Sequence, residues 1–122
     1  MRSLPRLLCL VICLGLAGLG RAGAADSFIA GIDDMPLMPG LTQLADRTVV
    51  FDAPSGRIIE AYAEGPVARE AVRSFYARTL PQLGWSQRDG GLYVRDGETL
   101  RLEFPGARSG RRTTVRFFLS PD

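Results

Sequence analysis

The sequence predicts an α+β domain: an antiparallel sheet in the order β-β-α-β-β-β-β, with one helix packed on one face. Three observations carry this. Only one stretch, residues 67–80, repeats apolar residues at helical spacing. Residues 98–104 and 113–119 alternate apolar and polar, the period of a half-buried strand. Turn signals punctuate the remainder: Ala53-Pro54-Ser55-Gly56, Asp89-Gly90-Gly91 and Asp96-Gly97.

Ahead of that domain, residues 1–24 read as a signal peptide. Arg2 and Arg6 give a positive start, and residues 7–19 form an apolar run of 13, shorter than the roughly 20 residues that span a bilayer. Ala22-Gly23-Ala24 fits an A-x-A cleavage site, so the mature chain begins at Ala25, or at Asp26 if the cut falls one residue later. Cys9 and Cys13 follow Leu8 and Ile12, which does not fit a lipidation site. Cleavage removes both cysteines and Arg2, Arg6 and Arg21, leaving 12 Arg against 13 acidic residues. A body of charge −1 offers no electrostatic case for nucleic acid. No transmembrane span remains. In an oxidising compartment, a thiol-free domain must rely on its core or on a partner.

Residues 25–46 form an irregular lead segment, because Pro36, Pro39 and Gly40 exclude a regular helix. Phe28, Ile29, Ile32, Met35, Leu37, Met38 and Leu41 make it too apolar for a free tail, so it must dock on its own domain or on another protein. The single α+β domain then occupies residues 47–122. Residues 48–52 and 57–64 read as a hairpin around Pro54-Ser55. Small Ala61 and Ala63 on its second strand allow a helix to come close. Pro66 is expected at the first helical position, where its missing N–H costs nothing. Val67, Ala68, Ala71, Val72, Phe75 and Thr79 are expected to share the buried face, with Tyr76 near its margin, and Pro81 and Gly84 to end the helix. Strands follow at 85–88, 92–95, 98–104 and 113–119, with Leu100, Leu102, Phe104, Val115, Phe117 and Leu119 inward. Trp85 and Tyr76 are expected to pin the helix end to the sheet.

The segment Phe75-Tyr76-Ala77-Arg78-Thr79-Leu80-Pro81-Gln82-Leu83-Gly84-Trp85, followed by a meander, resembles a pattern in small exported bacterial domains of unknown function. The lead run Pro36-Leu37-Met38-Pro39-Gly40-Leu41 is similar to that of alphaproteobacterial secreted proteins. The resemblance covers about residues 32–121. It implies a helix on an antiparallel sheet and transfers no catalytic residue.

The chemistry is bounded by what is missing. With no His or Lys anywhere, and no Cys after cleavage, the mature chain cannot build a Ser-His-Asp triad, a Cys nucleophile, a His/Cys zinc site or a Schiff base. No cofactor is implied. Adjacent Asp33 and Asp34 are the candidate Ca²⁺ ligands, although a loop site shows more acids at alternating positions, and a solvated pair before a turn is the simpler reading. A carboxylate hydrolase built on Asp52, Glu60, Glu98 or Glu103 would need a cleft that sets two of them a fixed distance apart. Arg108, Arg111, Arg112 and Arg116 form the densest basic cluster, read first as a solvated hairpin loop.

The sheet's outer face is expected to carry Tyr62, Tyr93 and Phe118 beside Glu60, Arg95, Arg101, Glu103 and Arg116. That is the composition of a binding patch and equally of a cross-strand ladder. The sequence therefore describes an exported, non-catalytic binding or accessory module of a bacterial envelope. Its candidate contacts are Asp33, Asp34, Met35, Leu37, Met38 and Leu41 in the lead segment, and Tyr62, Tyr93, Arg95, Arg101, Arg116 and Phe118 on the sheet. Another envelope protein is the partner in view. The alternatives are a small carboxylate-based hydrolase or Ca-binding protein, and a structural subunit whose lead segment completes a partner's fold.

Overall fold

Alternation of apolar and polar residues produces one antiparallel sheet. Its strands are β1 (Thr42–Gln43), β2 (Val49–Ala53), β3 (Gly56–Gly65), β4 (Ser86–Asp89), β5 (Leu92–Arg95), β6 (Glu98–Glu103) and β7 (Thr113–Pro121). The spatial order is β1-β3-β7-β6-β5-β4, with β2 also paired to β3. Among the described residues the one α-helix, α1, is Arg69–Thr79. These elements come from a computed structural model that describes residues 27–106 and 111–122. The expected signal peptide, its cleavage point, both cysteines and Arg108 lie outside the described residues. The expected element order holds, with the two-residue β1 added ahead of it.

The inner face of the sheet is the core. Ile59, Ala61 and Ala63 of β3, Val115, Phe117 and Leu119 of β7, and Leu100 and Leu102 of β6 are all buried. Val72, Tyr76 and Leu80 meet this layer from the helix side, spaced four apart on one face. The Tyr76 and Phe117 rings cross edge to face at 5.3 Å. Trp85 is buried as expected.

Two expectations about the helix are corrected. Pro66 is not its first residue. The backbone stays extended to Ala68 (φ −75°, ψ 147°), because Val67 N–H donates to Gly65 C=O at 2.9 Å and the Thr113 hydroxyl donates to Val67 C=O at 2.5 Å. The buried face is also rotated: Ala68 and Ala71 are exposed, Phe75 is half-buried, and Tyr76 sits at the centre. A buried phenol needs hydrogen-bond partners. The lead segment supplies them: Tyr76 Oη donates to Pro36 C=O at 2.8 Å and accepts Met38 N–H at 3.2 Å. Desolvation pushes the Tyr76 phenol far above its ordinary pKa. The helix closes into a 3-10 turn (Leu80–Leu83) capped by Gly84 at φ 89°.

The lead segment docks on its own domain. Ile29, Ile32 and Met35, at three-residue steps, are buried in the core, and Leu41 joins them. Ile29 N–H donates to Met35 C=O and Leu37 N–H to Ser27 C=O, each at 2.8 Å, folding the segment on itself. Gln43 ties it to the sheet side by accepting Ala30 N–H at 2.8 Å and donating to Ala30 C=O and Thr48 Oγ1 at 3.2 Å. Where the segment crosses β3, Gly65 is required, since a Cβ there would overlap the Gly40 carbonyl. Met35 and Leu41, expected as partner contacts, are core residues of this chain.

Candidate functional site

The outer face of the sheet is a ladder whose charges meet one another. Register places Tyr62 opposite Arg116, Glu60 opposite Phe118 and Glu103 opposite Arg116. Arg116 donates to Glu103 at 2.5 Å and to Glu60 at 3.1 Å, and its guanidinium lies 4.6 Å from the Phe118 ring centroid. Tyr62 Oη donates to the Glu60 carboxylate, and Arg47 covers the Tyr62 ring at 4.0 Å. Hydrogen bonds from Arg116 and then Tyr62 hold the Glu60 carboxyl below its usual range. The hydrogen bond to Glu60 raises the Tyr62 phenol, and Glu60 likewise raises Arg116. Arg101 lies on this face opposite Phe118, exposed.

Tyr93 and Arg95 do not belong to this face. The two-residue Asp96-Gly97 turn sets Arg95 opposite Glu98 and Tyr93 opposite Leu100. Paired residues point the same way, so Tyr93 follows Leu100 into the core and is buried. Arg95 emerges at the margin of the inner side. Its guanidinium donates to Leu83 C=O at 2.9 Å, clamps both Asp34 carboxylate oxygens at 3.1 Å and lies 4.4 Å from the Trp85 ring centroid. Asp34 takes a left-handed backbone (φ 52°) at this bend. Asp33, 87% exposed, reaches Arg57 at 3.4 Å, and Arg57 in turn lies 3.5 Å from Glu98. The two adjacent aspartates thus serve different arginines. Among the described residues no group of three or more His, Cys, Asp or Glu is placed to hold a metal ion.

The remaining lead-segment candidates, Leu37 and Met38, line a groove of about 630 Å³ between this segment and the helix. Its other walls are Phe28, Phe75 and Leu83, with Asp34 also on the lining. The size falls within the range of small-ligand and side-chain pockets. Phe28 is 59% exposed and Phe75 half-buried, so apolar surface is presented to solvent. Phe28, Phe75 and Leu83 lie outside the contacts that the sequence predicts. The half-buried Phe75 beside a fully buried Tyr76 marks a helix edge that the sheet does not cover.

A second apolar surface lies at the sheet's edge. Val49, Val50 and Phe51 of β2 are 57%, 56% and 61% exposed. Three consecutive apolar residues without alternation were the available signal in the sequence.

Among the described residues no helix is long and apolar enough to cross a membrane. Comparison with protein-family models, with curated proteins and with solved structures finds no match.

Proposed function

We propose that this chain is an exported, non-catalytic binding module of a bacterial cell envelope, related to the small alphaproteobacterial secreted domains it resembles, and that an apolar segment of another envelope protein seats in the groove between lead segment and helix. The observation that supports this is the contrast in partner satisfaction. The aromatic and charged groups of the outer face hold one another, whereas Leu37, Met38, Phe75 and Phe28 line an open apolar cleft. Methionine suits such a wall, since its unbranched side chain adapts to varied contacts. A carboxylate hydrolase has little support: Glu60 and Glu103 are both taken up by Arg116, and the hydrogen bonds from Arg116 and Tyr62 that lower the Glu60 pKa favour its ionised form, while a general acid must hold a proton.

Site-specific photocrosslinking in the native envelope tests the reading. A photoreactive residue at Leu37 should capture a discrete protein, and the same probe at Phe118 should not. Capture at Phe118 with none at Leu37 would move the binding surface to the sheet and end the groove reading.

A further inference from the structure

We infer that β2 is a self-association edge, through which two copies of this chain join their sheets by antiparallel pairing of β2 with β2 about a two-fold axis at Val50. The inference is independent of the groove. It begins with the hydrogen-bonding direction of the backbone. Leu44 N–H donates to Tyr62 C=O at 2.8 Å, so Tyr62 turns its backbone groups toward the side of β3 that carries β1 and β2. Alternation turns Glu60, Ile58 and Gly56 the same way, and their β2 partners Val49, Phe51 and Ala53 are therefore the hydrogen-bonded pairs. The intervening residues, Val50 and Asp52, direct their N–H and C=O away from β3. Among the described residues nothing is paired with that outer edge of β2. Val49–Ala53 carries neither proline nor a basic residue, and a single charge, Asp52, guards this short edge.

The side chains select a second copy and fix its register. In a symmetric antiparallel pair, an axis at Val50 sets Val50 against Val50, and Val49 against Phe51 twice, a small residue facing a large one. Asp52, the one charged residue of β2, then faces Thr48, whose hydroxyl can donate to the carboxylate. Moving the axis to Phe51 would press Asp52 against Val50, and moving it to Asp52 would set two carboxylates face to face. Only the Val50 axis joins apolar to apolar and leaves the carboxylate with a donor. In that register Val50 exchanges both backbone bonds with its copy, and Asp52 N–H meets Thr48 C=O. The Thr48 N–H is already donated to Ala45 C=O at 3.2 Å. Four inter-chain backbone bonds and one apolar strip describe a weak, reversible dimer.

Sedimentation velocity on the exported protein, over concentrations rising to about 1 mM, the weak end of specific association, should show a monomer–dimer equilibrium. Val50→Pro removes an outward N–H and leaves the pairs with β3 intact. Phe51→Lys places a charge in the apolar strip. Both should be monomeric throughout that range with the circular dichroism of the parent. Val50→Cys should form an inter-chain disulfide on oxidation, because the axis brings the two sulfurs together, whereas Asp52→Cys should not. A parent that stays monomeric at the highest concentration overturns the inference. So does a dimer that survives both Val50→Pro and Phe51→Lys, or crosslinking by Asp52→Cys in preference to Val50→Cys.

Discussion

The outer face of the sheet and the groove beneath the lead segment draw on similar residues, aromatics and aliphatics beside charges, and arrive at opposite conditions. On the outer face Arg116 stands between Glu60 and Glu103 and over Phe118, while Tyr62 donates to Glu60 beneath Arg47. Arg116, Glu60, Glu103, Tyr62 and Phe118 thus answer one another from adjacent positions, while Arg101 stays exposed at the rim. In the groove, Asp34 is already clamped by Arg95, and the apolar walls face solvent. Composition alone marks both regions as candidate contact surfaces. What separates them is strand register, which brings complementary side chains opposite one another in the first, whereas in the second Phe28, bridged to Pro36, and the half-buried Leu37 and Phe75 line open apolar surface.

The contrast depends on the lead segment being a wall of this domain rather than an arm held out for a partner, and Met35 tests that most severely. Its side chain is fully buried among core residues. Met35→Ala should cost about 2–5 kcal/mol, as for other large-to-small core changes, read as a lowered urea midpoint. A midpoint equal to that of the parent would make the segment an arm and dissolve the groove as a feature of the folded chain.

Removing Arg116 sharpens the other half. Arg116→Ala should leave Glu60 and Glu103 without their shared cation and cost about 1 kcal/mol at neutral pH, since the cluster is partly solvated. The pH dependence carries the sign. Glu60 has a lowered pKa in the folded state, so its contribution is fully present above its unfolded value of 4.5 and fades as pH falls through the lower folded value. Urea midpoints of parent and variant should therefore differ most at neutral pH and converge in acid. A difference that persists undiminished in acid would mean that Arg116 acts by packing over Phe118 and not through its carboxylates.

Most of the architecture was legible because it rests on local signals. The hairpin turns, the alternation in β6 and β7 and the one amphipathic stretch each specify an element within a few residues. What escaped depends on partners distant in sequence. Tyr76 lies at the centre of the helix's buried face because Pro36 and Met38, some forty residues earlier, satisfy its hydroxyl. Tyr93 and Arg95 changed faces because register is set by the Asp96-Gly97 turn, and an alternation within four residues does not say which face is which. Trp85 and Leu100 are legible as inward residues, each apolar between non-apolar neighbours, and both are buried. The groove itself had no local signature. It exists only where the folded lead segment stops short of covering Phe75.

Asp33 and Asp34 offer the finest test of the same contrast, because adjacent identical residues occupy unlike settings. Asp33 is nearly free in solvent and reaches Arg57 at 3.4 Å, so Asp33→Asn should change stability by less than about 0.5 kcal/mol. Asp34 grips both guanidinium nitrogens of Arg95, which also lies against the ring of Trp85. Asparagine accepts the left-handed backbone at this position as readily as aspartate does, so Asp34→Asn removes the charge without straining the bend. The expected cost is about 1 kcal/mol, accompanied by a change in fluorescence from the single tryptophan as Arg95 loosens from its ring. Asp33→Asn should leave that emission unaltered. Equal responses from the two variants would mean that Arg95 is held by Leu83 C=O and the Trp85 ring alone, and that the Asp34 carboxylate on the groove lining is available to a cationic group of the incoming partner.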